Sequence, residues 1–336
     1  MTARHSASEI ERRAQAATGQ PGRRAGARPP LLPRGVFRYV RETSALSQAL
    51  IALLTIVTFL LEVAPLELQR RIVNDAVKQR DFHFVLVLCA LYAAVVLTQG
   101  GTKLLLNIYR SWVGENAIRD LRRRIRSAME SSPLRALSSE DNAIEVSMIV
   151  AEVEPIGGFV GECISEPLLQ SGILLTVTAY MLHIEIWMGL TALAIFSAQL
   201  VFVPLMQHVI NLRAGARIRI LREVGISVTT AGEDRRRSVD EKRIDRAFEL
   251  NMGIFRLKFS MNFLMNFSTQ LQIIAALMLG GWYVCTGHLG IGGVVAFISA
   301  VGRLSDPWGD LVNYFRDVSV TQVKFGLVAD VLNRLP

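Results

Sequence analysis

The stretch Thr286–Pro307, TGHLGIGGVVAFISAVGRLSDP, decides how the rest of the chain is read. Glycines at 287, 290, 292 and 293 precede an apolar run that holds one arginine, Arg303. A phosphate-binding glycine loop follows a strand and opens a helix within a βαβ unit. These glycines instead follow a long apolar segment at 261–284. They read as a tight reversal between two buried helices, where small side chains permit close packing.

The chain around this stretch has 336 residues, of which 51% are hydrophobic and only 20% charged, and its mean hydropathy is +0.34. That is too apolar for an ordinary soluble domain. A helix crosses a hydrocarbon core of about 30 Å with roughly 20 mostly apolar residues. Six segments meet this requirement, at about 45–66, 82–106, 160–182, 186–208, 261–284 and 291–315. The expected fold is therefore all-α: a polytopic membrane protein of six transmembrane helices. Residues 1–35, rich in Ala, Gly, Pro and Arg, read as a disordered basic tail with no removable signal peptide, and 36–336 as one membrane domain.

The net charge is +8. Its distribution matters more than its size. Arginines crowd the segment between spans two and three (Arg110 to Arg135), and Arg and Lys the one between spans four and five (Arg213 to Lys258), whereas 183–185 and 285–290 hold no Lys or Arg. Positive-inside counting places both long segments and both termini in the cytoplasm, as for a multi-pass protein of the plasma membrane. The loop after span one, with Arg70, Arg71, Lys78 and Arg80, is a local exception. The basic excess is then topology and contact with anionic lipid, and nucleic acid is not an expected partner. Cys89, Cys163 and Cys285 are isolated and His183 and Glu185 supply only two donors, so no metal site is expected.

The two long segments lack linker composition. In NAIRDLRRRIRSAME, Ile118, Leu121, Ile125 and Met129 recur at steps of three and four, which predicts an amphipathic helix. A weaker pattern runs through Ile218 and Leu221, and through Ile244, Ala247, Phe248 and Phe255. As helical hairpins these cytoplasmic extensions reach roughly 40 Å from the membrane. Their bends are expected at Pro133, and around Gly225 and Gly232.

Read in order, these features resemble the membrane domain of exporter-type (type-1) ATP-binding-cassette transporters, over residues from about 36 to 336. The resemblance is carried by GGWYVCTGHLGIGGVVAFISAVGRLSDPWGDLVNYFRDVSVTQVKFGLVADVLNRLP, by REVGISVTTAGED and by LRRRIRSAMESSPLRAL. It implies coupling helices that dock an ATPase, carried by Pro133, Leu134 and Leu137 in the first extension and by Glu223 and Gly225 in the second. No G-x-x-x-x-G-K-[ST] and no LSGGQ-type signature occurs, so this chain is not expected to be an enzyme. The resemblance then implies a permease subunit that pairs with a second membrane domain, identical or not, and with a nucleotide-binding subunit carrying the ATP and magnesium. Two alternatives stay open: an ATPase-free, proton-driven carrier using Glu62, Glu162 or Glu166, and a non-transporting membrane scaffold.

Polar residues inside spans are candidate functional groups, or interhelical glue. Asn262, Asn266 and Gln270 repeat every fourth residue in span five as a possible cavity stripe. Arg303 lies about 18 Å into span six, near the midplane. The favoured partner for it is Asp306, three positions on, with Asp310 nearby; substrate contact is the alternative. Glu62, at the outer end of span one, and Lys103 are expected to snorkel.

Overall fold

A computed structural model describes residues 32–33, 35–78, 82–131, 152–230 and 237–334. All regular structure among these is helical: α1 Val36–Leu61, α2 Val63–Lys78, α3 Phe82–Ser131, a helical stretch over 152–162, α4 Ser165–Ile184, α5 Ile186–Thr230, α6 Arg237–Cys285, α7 Ile291–Val301 and α8 Ser305–Arg334. Five helices are long and apolar enough to cross a membrane, at Val36–Ala76, Phe82–Ser127, Ser165–Ile184, Ile186–Leu221 and Glu241–Cys285. The chain is thus all-helical and compatible with a multi-pass membrane protein.

The sixth expected span is not one helix. It consists of α7, with 11 residues, and α8, with 30, separated by a turn over 302–304. Proline causes the interruption. Pro307 has no N–H to give the carbonyl of Arg303, four residues back, and its ring crowds that carbonyl. Gly302 next to it adds a weak helix former. The same device acts after span one: Pro65 stands four residues beyond Leu61, and the helix turns at Glu62. What the sequence suggested was a basic loop is instead α2, which packs lengthwise against α7. Asn74 Oδ1 accepts from the Gly292 amide at 2.9 Å, and a Cβ on Gly292 would collide with the Arg70 carbonyl. A third proline, Pro167, deprives the Cys163 carbonyl, which takes the Tyr314 hydroxyl at 2.7 Å. Helix-breaking residues survive in an apolar bundle when neighbours satisfy the freed backbone in this way.

The opening stretch behaves as read. Gly287 has φ of +77°, the left-handed conformation that lets α6 reverse into α7.

Two apolar cores divide the molecule. One joins the start of α1, the middle of α3, the 152–162 stretch and the end of α8, through Tyr39, Leu106, Leu121, Ile156 and Phe325. Leu32, within the expected tail, is buried in it. The other joins α2, α4, α5, α6 and α7, through Leu66, Met181, Met188, Phe297 and Leu304. On α3, Ile118, Leu121 and Ile125 are all buried, as their spacing required; the Met129 side chain lies outside the described residues. The α5–α6 hairpin differs: Ile218, Leu221, Ile244, Phe248 and Phe255 are exposed, with Phe248 at 65%.

With 50, 45 and 49 residues, α3, α5 and α6 are each roughly 70 Å long, more than twice the hydrocarbon thickness. Contrary to the bend expected at Gly225, α5 stays helical to Thr230. The extensions of α5 and α6 are joined by Arg217, which donates to Asn251 at 2.6 Å, and by Arg243 and Glu223 at 3.5 Å.

Glycine sets how closely α3 meets the 152–162 stretch. Gly157 and Gly161 are four apart, and a Cβ on Gly161 would run into the Arg110 carbonyl, while one on Gly114 would lie 2.8 Å from the Gly157 carbonyl. This is small-residue packing of the kind that holds helices together in lipid. Replacing Gly161 with Val should therefore cost about 1–3 kcal/mol by overpacking. Gly100→Ala, where a Cβ meets nothing within 4 Å, should be neutral or stabilising by up to about 1 kcal/mol. Melting of the detergent-purified variants measures both; equal melting temperatures for Gly161→Val and wild type would contradict the packing account.

Candidate functional site

Between the two cores lies a polar layer built at the helix breaks. Glu62 closes α1 and Arg303 sits in the α7–α8 turn, so each proline places an ionisable residue where the backbone is irregular. Arg303 Nη1 pairs with the Glu62 carboxylate and also donates to the Glu62 carbonyl at 2.8 Å. The pair is mostly withdrawn from solvent, with 29% of the Arg303 side chain and 14% of the Glu62 side chain exposed. Its physical logic is mutual: neither charge is tolerable alone at this depth, and together they join the two irregular points.

This corrects two readings of the sequence. Arg303 pairs with Glu62 and not with Asp306, which is exposed on the first turn of α8. Glu62 caps α1 but turns inward to Arg303 instead of snorkelling, and α2 continues for 16 residues beyond it. The α2–α7 packing, with Asn74 beside Gly292, then sets Glu62 at the same depth as Arg303.

A second cluster spans α3, α4 and α8. Arg110 lies 3.0 Å from Glu166 and 3.7 Å from Glu162. The Gln170 Nε2 donates to Glu166 at 2.8 Å and to Asp310 at 3.2 Å, so one amide bridges two carboxylates. Small residues make this possible: with Gly161 against the Arg110 backbone, the guanidinium reaches the acids one turn further on. Sequence reasoning had Glu162, Glu166 and Asp310 but counted Arg110 only toward topology and passed over Gln170. The available signal was Glu166 and Gln170 on one helix face, four apart.

Other residues singled out from the sequence are scattered. Asn262, Asn266 and Gln270 all lie on the exposed face of α6; the buried polar side chains of that helix are Ser268 and Gln272. Glu223 pairs with Arg243, Gly225 lies within α5, and Pro133, Leu134 and Leu137 lie outside the described residues. Among the described residues no group of His, Cys, Asp and Glu could hold a metal ion. The three cysteines are free, with Cys163 buried.

No protein-family model matches the chain, and no curated protein matches it. What can be stated of it comes from its own geometry: an all-helical chain with apolar spans, paired long extensions, and a charged layer where two helices break.

Removing one member of a buried ion pair costs about 3–5 kcal/mol, and partial exposure puts this pair toward the lower figure. Arg303→Ala and Glu62→Gln should each lower the melting temperature in detergent, and the combination should cost much less than the sum. Asp306→Asn should be near neutral. A strong effect of Asp306→Asn, coupled to Arg303→Ala, would restore the local pair.

Proposed function

We propose that the chain is the membrane (permease) subunit of an ABC-type transporter, moving its substrate by alternating access. It has six spans, the last broken between α7 and α8, with the extensions and both termini in the cytoplasm of a plasma-membrane protein. ATP hydrolysis occurs on a separate nucleotide-binding subunit that docks at the tips of the extensions. The observation that carries this reading is the asymmetry between the extensions. That of α3 buries its apolar face within the chain, whereas that of α5 and α6 leaves Ile218, Leu221, Ile244 and Phe248 uncovered. An apolar stripe on helices that project beyond the lipid calls for a protein partner. A second membrane domain, identical or homologous, would supply it, and such a pairing completes one pathway from two six-span halves.

One observation favours a second reading. Glu166 and Asp310 share a single amide, and Arg110 contacts Glu166 but not Asp310 within ion-pair distance. Carboxylates so arranged suit a proton-driven carrier that needs no ATPase.

The readings separate by energisation. Affinity-purified protein should carry a nucleotide-binding subunit whose hydrolysis rises several-fold when the two are reconstituted in liposomes. Uptake driven by a pH gradient without ATP, and abolished by Asp310→Asn, would replace the first reading with the second.

A further inference from the structure

The antiparallel register of α5 and α6 is fixed at several points. Arg217 meets Asn251, Glu223 meets Arg243, and a Cβ on Gly280 would touch Met188. Carried to the middle of the hairpin, that register sets Gln199 at the level of Ser268, with Gln272 one turn further along α6. The first turn of α8 crosses the same level. Trp308 Nε1 donates to the Gln199 carbonyl at 3.2 Å, and the Thr269 and Ser305 hydroxyls are 2.7 Å apart. Gln199 lies 13 residues into α5 and Gln272 13 before the end of α6, about 20 Å along each helix, the depth of the Arg303 break.

Four polar atoms there have no protein partner among the described residues: both Nε2 and Oε1 of Gln199, Oε1 of Gln272 and Oγ of Ser268. Gln199 is 0% exposed, Gln272 1% and Ser268 6%. A buried group without a partner bears its full desolvation cost, more so at low dielectric. Of the eight buried side-chain atoms without a hydrogen-bond partner among the described residues, these four fall within about one turn of a single level of the hairpin. None of the three is charged, and a bare cation would leave the Nε2 donor of Gln199 without a partner. Gln199 offers a donor and an acceptor side by side, Gln272 an acceptor, and Ser268 either. The complementary ligand is an uncharged group that both donates and accepts.

We propose that Gln199, Ser268 and Gln272 form an intramembrane recognition site for the peptide or carboxamide group of a neutral substrate, beside the α7–α8 break. The proposal rests on the reading of the chain as a transporter subunit and gives its substrate a chemical class. The break adjoins the site: Trp308, in the first turn of α8, donates to the Gln199 carbonyl. Water shares the same hydrogen-bonding chemistry, so the test separates a substrate amide from a resident water.

The full chain in lipid nanodiscs, with Trp112, Trp187 and Trp282 replaced by Phe, leaves Trp308 as the reporter. Titration with N-acetyl-leucyl-leucinamide should give a saturable change in its emission. The ester analogue, lacking one N–H, should bind about tenfold more weakly, as should Gln199→Leu and Gln272→Leu. Ser268→Ala, a smaller change, should weaken binding several-fold and serves if the Leu variants do not elute as folded protein. No saturable response, or one that these substitutions leave unchanged, overturns the proposal. A site holding resident water only would also overturn it, and would show as no dipeptide response together with a lowered melting temperature for Gln199→Leu, which deprives that water of its partner. Binding is read without ATP or a pH gradient, so a failed coupling experiment leaves this result standing, and a failure here leaves the coupling experiments standing.

Discussion

A carboxylate and a guanidinium midway along an apolar bundle cannot each find water, and the architecture follows from the way Glu62 and Arg303 find one another. Pro65 and Pro307 open the helices at Glu62 and at Arg303 respectively, which frees backbone and bends the chain at the two charged positions. The pair then holds α1–α2 against α7–α8 at their weakest points. On one side α2 and α7 pack through Asn74 and Gly292 into the core of Leu66 and Phe297; on the other α8 runs on to Phe325 in the core shared with α1 and α3. Buried ion pairs are weak evidence of net stability. Their clearer contribution here is to specify which helix break faces which.

The same economy recurs at a third proline. Pro167 frees the Cys163 carbonyl, Tyr314 takes it, and the turn of α4 brings Glu166 and Gln170 to Arg110 and Asp310. Irregular backbone and polar side chains thus coincide, in keeping with the rule that non-helical chain at membrane depth is buried in protein or lines a cavity. These points are where a bundle can bend without unfolding its helices.

Much of the fold was legible in the residues. Length and hydropathy predicted five of the six expected spans, and the three-and-four spacing of Ile118, Leu121 and Ile125 predicted their burial. The glycines at 287 and 292 were read as reversal and close packing, and Gly287 and Gly292 serve in just those roles. The partner of Arg303 was not legible, because Glu62 is 241 positions away and spacing reports only local neighbours such as Asp306. The inward face of α6 was not legible either. In a span bounded by lipid, periodicity of Asn262, Asn266 and Gln270 marks a stripe without saying which way it points, and Ser268 and Gln272 hold the buried positions. Charge counting led to a loop where α2 stands, since Arg70 and Arg71 are absorbed by Glu67 at 2.8 and 2.9 Å within the helix itself.

The central claim is that the Glu62–Arg303 pair holds the two proline-made breaks in place. Hydrogen exchange of the full chain in nanodiscs, resolved by peptide, tests it most directly. In Glu62→Gln the amides of 302–306 and 62–66 should exchange markedly faster than in wild type, while those of 174–182 in α4 stay unchanged. Identical protection of both breaks in the variant and wild type would contradict the account.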